Sequence, residues 1–96
     1  MNTKELFENL KMIASEHSTP EKALNAICDV YNLKKFDENC CDPCIGAMQN
    51  SITGFINRHH PVGGLSLHVD SDMFRITQHP DAGDFEMEMP IGTFAR

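Results

Sequence analysis

Apolar residues recur at helical spacing through the first two-thirds of the chain and at every second position after Gly64. Leu6, Phe7, Leu10, Ile13 and Ala14 mark one face of a helix predicted over residues 3–17, with Asn2 and Glu5 placed as a capping box. Thr19-Pro20-Glu21 joins a capping hydroxyl, a proline whose missing N–H costs nothing in the first turn, and an acid that suits the helix dipole. It opens a second helix over 20–34, with Ala23, Leu24, Ile27, Cys28 and Tyr31 as its apolar stripe. Asp42-Pro43 repeats that signature and predicts a third helix over 43–57, burying Ile45, Met48, Ile52, Phe55 and Ile56.

From Leu65 onward the period is two. Leu65, Leu67 and Val69 alternate with Ser66, His68 and Asp70; Phe74 and Ile76 alternate with Met73, Arg75 and Thr77; Phe85, Met87 and Met89 alternate with Asp84, Glu86 and Glu88. Strands are predicted over 64–70, 73–79 and 84–89, joined by the turn residues Asp70-Ser71-Asp72 and Pro80-Asp81-Ala82-Gly83. Pairing Asp70 with Met73 sets Leu67 opposite Ile76 and Val69 opposite Phe74. Pairing His79 with Asp84 sets Ile76 opposite Met87 and Phe74 opposite Met89, so both inner rows are wholly apolar. A slip of one residue would turn all of them to water, so the pattern fixes the register. The expected fold is α+β, a single domain over residues 1–96 with three N-terminal helices packed on one face of a three-stranded antiparallel meander. Ile91 and Phe94 are expected to tuck over the sheet edge.

At 96 residues with 41% hydrophobic content, the chain has room for one core and no second domain. No apolar run approaches the roughly 20 residues of a membrane span, and the polar N-terminus has no signal-peptide stretch. The expectation is a soluble, cytoplasmic protein with no membrane partner. The net charge of −6 is uneven: residues 1–60 carry 6 Lys/Arg against 8 Asp/Glu, whereas residues 61–96 carry 2 against 6. With no basic stripe for phosphate contacts, direct nucleic-acid binding is not expected.

Cys40, Cys41 and Cys44 fall within five residues, and Cys41-Asp42-Pro43-Cys44 stands where a helix is predicted to begin. Unpaired N–H groups and the dipole at a helix start stabilise a thiolate, which makes Cys41 and Cys44 candidates for redox use. The spacing is similar to that of thioredoxin-like proteins over these four residues. The setting departs from that family, because a helix and a charged linker precede the motif and the following strands form hairpins. Cys40, Cys41, Cys44 and His59 are a candidate zinc set, although a straight third helix would hold Cys44 and His59 roughly 22 Å apart. The remaining reading is three inert cysteines at a helix start. His17, His60, His68 and His79 fall at a helix end, in a turn and on the outward sheet face, and no catalytic constellation emerges. Cys28 reads as a small core residue. The expectation is a non-enzymatic protein without a cofactor, zinc being the alternative.

From Pro43 to Asn57 there is no charged residue. This pattern assigns Gly46, Gln49, Asn50, Thr53 and Asn57 to the helix face opposite the core, where charge depletion is an interface signature. The competing explanation is that the other helices cover this face. Asp70, Asp72, Glu86 and Glu88 give the sheet an acidic side suited to a basic surface. Together these features suggest a protein-binding regulatory module, a small inhibitor or adaptor such as mobile elements carry, docking on another protein or on a second copy. The alternative is a thiol-dependent redox or zinc protein.

Overall fold

The computed structural model describes residues 3–36, 44–59, 64–78 and 86–92. Three helices, α1 (Thr3–Glu16), α2 (Pro20–Tyr31) and α3 (Ile45–His59), precede strands β1 (Leu65–Val69), β2 (Met73–Gln78) and β3 (Glu86–Pro90). The strands form one antiparallel sheet in the order β1-β2-β3. Its register is the one the alternation demands: Leu67 faces Ile76, Val69 faces Phe74, Phe74 faces Met89 and Ile76 faces Met87. On the other face Arg75 lies between His68 and Glu88, and Thr77 between Ser66 and Glu86. The His79–Asp84 pair and Phe85 lie outside the described residues.

The helices occupy one side of the sheet. α1 packs on α2 and on β3, α2 packs on α3, and α3 packs on β1, so the two outer helices reach the two outer strands. One core runs through all six elements, with Leu6, Leu10, Leu24, Ile27, Met48, Ile52, Ile56, Phe74, Ile76 and Met89 buried. Cys28 belongs to it and is fully enclosed. Ile45 does not: expected inside, it is 43% exposed at the first position of α3, where no turn of helix precedes it to bring it over the core.

The helix ends show where local chemistry overrode periodicity. Thr19 caps α2 as expected, in extended backbone geometry with Oγ1 accepting the Lys22 N–H at 3.2 Å. The helix stops at Tyr31, short of the expected residue 34, because Asn32 takes a left-handed conformation (φ 55°) and its N–H returns to the Cys28 carbonyl. Leu33 N–H bonds to the same carbonyl at 2.8 Å, which satisfies the last turn. α3 begins at Ile45, two residues after the expected start. Its capping residue is Cys44, whose carbonyl accepts the Met48 N–H at 3.0 Å and whose Sγ accepts the Ala47 N–H at 3.3 Å. Asp42 and Pro43, expected to begin this helix, lie outside the described residues, as does Asn2 of the capping box.

Beyond β3 the backbone stays tied to the body. Ile91 N–H donates to the Asp72 carbonyl at 2.9 Å, and Gly92 N–H donates to the Ala14 carbonyl at 3.0 Å. Ile91 is half-buried against the core, as expected of it, while Phe94 lies outside the described residues.

Candidate functional site

The uncharged helix α3 runs beside the edge strand β1. Asp70 N–H bonds the Met73 carbonyl at 2.9 Å, so the pairs His68–Arg75 and Ser66–Thr77 carry the ladder bonds between β1 and β2. The N–H and C=O groups of Leu65 and Leu67 therefore point away from β2, toward α3. Side-chain amides meet them there. Gln49 Nε2 donates to the Leu67 carbonyl at 2.8 Å, and Asn57 Nδ2 donates to the Leu65 carbonyl at 2.8 Å. Asn57 Oδ1 accepts the Leu65 N–H at 2.6 Å. An amide both donates and accepts in one plane, so Asn57 bonds Leu65 as a neighbouring strand residue would.

This placement corrects the expectation that Gln49, Thr53 and Asn57 face away from the core. Each directly follows a buried residue, Met48, Ile52 or Ile56, and so lies about 100° round the helix from it, at the margin of the core stripe. Thr53 Oγ1 donates to the Gln49 carbonyl at 2.8 Å, and the Asn57 amide also donates to the Thr53 carbonyl at 3.0 Å. The three side chains form a half-buried column between helix and strand, leaving only Asn50 of the predicted docking residues exposed on α3. With it on the solvent side stand Gly46 and Gly54, where an added Cβ would meet nothing within 4 Å.

The outer face of the sheet has no layer over it among the described residues. Asp70, Asp72, Glu86 and Glu88 are all exposed, as is His68. Arg75 is the cation among them: its guanidinium lies 3.7 Å from Glu88 and 4.0 Å from Glu86, with side chains 42–61% exposed. Pairs this open contribute little to stability and are readily exchanged for other partners. His68 Nε2 lies 3.1 Å from Thr77 Oγ1 across the strand pair.

Of the cysteine cluster, Cys44 is half-buried at the α3 cap, and Cys40 and Cys41 lie outside the described residues. His59, the expected fourth ligand, ends the same helix that Cys44 begins, and its ring packs on Phe55 at 4.5 Å between centroids. The length of α3 thus keeps Cys44 and His59 of one chain from sharing a metal ion. No cluster of three ligating side chains is found among the described residues. Burial pushes the Cys28 thiol up to about 11, with nearby Lys35 opposing the shift and Asp29 adding to it, which disfavours its thiolate at neutral pH.

Comparison with protein families, with characterised proteins and with solved structures finds no match to this chain. Among the described residues no helix is long and apolar enough to cross a membrane.

Proposed function

We propose that this chain is a non-enzymatic protein-binding module, a small inhibitor or adaptor, that engages a partner with a basic surface through the acidic outer side of its sheet. The observation that carries the reading is the one-sided layering: all three helices lie on one face, while the opposite face holds exposed Asp70, Glu86 and Glu88 against Arg75, with Asp72 exposed in the adjoining turn. Such charges mainly steer and orient association, and packing supplies the affinity. The solvent row Gly46, Asn50 and Gly54 of α3 is a second contact of lesser weight, because the neighbouring amides are committed to β1. Affinity capture from host extract, with wild type beside Glu86→Lys/Glu88→Lys and Asn50→Lys, tests this reading. A complex lost with the sheet-face pair and retained with Asn50→Lys supports it. Capture that survives both sets of changes contradicts it.

A thiol-dependent reading rests on one contact, the Ala47 N–H directed at Cys44 Sγ at 3.3 Å, at the half-buried start of α3. Native mass spectrometry without reductant or chelator tests it. Bound zinc or a loss of two hydrogens supports it, and an apo, reduced chain retires it.

A further inference from the structure

The sheet has two edges, and they are finished differently. At β1 the outward backbone groups of Leu65 and Leu67 meet the amides of Asn57 and Gln49. At β3, Met87 and Met89 pair with Ile76 and Phe74, and Ile91 N–H bonds the Asp72 carbonyl. The ladder alternation therefore aims the N–H and C=O of Glu86 and Glu88 away from β2. Among the described residues no group bonds them there. Pro90, the last residue of the strand, offers a carbonyl and no N–H.

We infer that β3 accepts an added antiparallel strand from a partner, and that the incoming segment reads basic–apolar–basic. The inference rests on the protein-binding reading above and specifies how that partner docks. Residues of an added strand opposite Glu86 and Glu88 share the outer face with those carboxylates, so lysine or arginine fits there. The residue between them stands opposite half-buried Met87, on the core side, and is apolar. The Arg75 pairs at 3.7 and 4.0 Å are loose enough to yield one or both carboxylates to the newcomer. A second copy is a poor occupant, because two β3 strands side by side would set glutamate against glutamate. Pro90 limits the addition to a short segment, consistent with a linear stretch of a partner.

A capped peptide alternating lysine and valine is the probe, with a glutamate–valine peptide as its control, titrated into the labelled full chain and followed by amide NMR. The expected result is that the Glu86 and Glu88 amides shift and become protected from exchange with the lysine peptide only. Glu88→Pro removes the outward N–H without touching a bond to β2, and is expected to weaken binding by about tenfold or more. Glu88→Gln keeps the backbone, and is expected to weaken binding a few-fold and to flatten its salt dependence, which decides the matter if the proline variant does not fold. Binding whose shifts fall on α3, equal binding of the glutamate peptide, or no binding of the lysine peptide overturns strand addition. The protein-binding reading itself fails if the captured complex survives both Glu86→Lys/Glu88→Lys and Asn50→Lys, so the two failures are distinguishable.

Discussion

Asn57 brackets Leu65: its Nδ2 donates to the Leu65 carbonyl at 2.8 Å while its Oδ1 accepts the Leu65 N–H at 2.6 Å. One side chain of α3 thereby stands in for a fourth strand at the open side of β1, and Gln49 continues the work at Leu67. Covering an edge in this way blocks it as a template for pairing with other chains.

Asn57→Ala removes both bonds to Leu65, and the one to the Thr53 carbonyl, and is expected to cost about 2 kcal/mol, since it leaves the Leu65 backbone groups unmet. Gln49→Ala, which loses one bond, is expected to cost about 1 kcal/mol. Urea titration measures both. Asn50→Ala, on the solvent side of the same helix, should leave the midpoint unchanged or slightly raised. Equal effects at positions 50 and 57 would contradict the described contact.

Gly54 stands inside α3 with open space where a Cβ would be. Gly54→Ala is therefore expected to stabilise the fold by about 0.5–1 kcal/mol, by restricting the unfolded chain and improving helix propensity. Thermal melting checks this. If α3 docks closely on a partner through this row, the same change weakens the captured complex while raising the melting temperature.

How far the fold was legible follows from what each pattern constrains. Alternation over Leu65–Val69 and Met73–Gln78 admits one register, because any slip exposes Phe74 and Ile76, and that register is the one found. The apolar stripe of α2 placed Cys28 in the core for the same reason. The column Gln49, Thr53, Asn57 was harder to read, because an uncharged amide suits water, a partner or a strand edge equally well. A signal was present, since each residue follows a buried one by a single position and so belongs to the margin of the stripe. What those amides bond depends on β1 lying alongside, a tertiary fact with no local trace. The start of α3 differs from the expected one because Asp42-Pro43 is the stronger local signature, while the cap at Cys44 uses its Sγ, a weaker acceptor.

Cys28 is expected to resist thiol reagents at neutral pH until the protein unfolds, in contrast to half-buried Cys44. Its folded thiol titrates near 11, above the ordinary value of 9.0, so the folded state holds this proton more tightly than the unfolded chain does. The associated stability is complete below pH 9 and is lost as pH rises toward and through 11. Denaturation midpoints across that window should fall in wild type and fall less in Cys28→Ala. Parallel curves would contradict the assignment.

The contrast between a sealed β1 edge and an open β3 edge is tested most directly by amide hydrogen exchange in the free protein. The Leu65 amide is expected to exchange slowly, approaching the rate set by global unfolding, while the outward amides of Glu86 and Glu88 exchange nearly as fast as in an unfolded chain. Fast exchange at Leu65, or protection at Glu86 and Glu88 matching that of Phe74, would contradict the account.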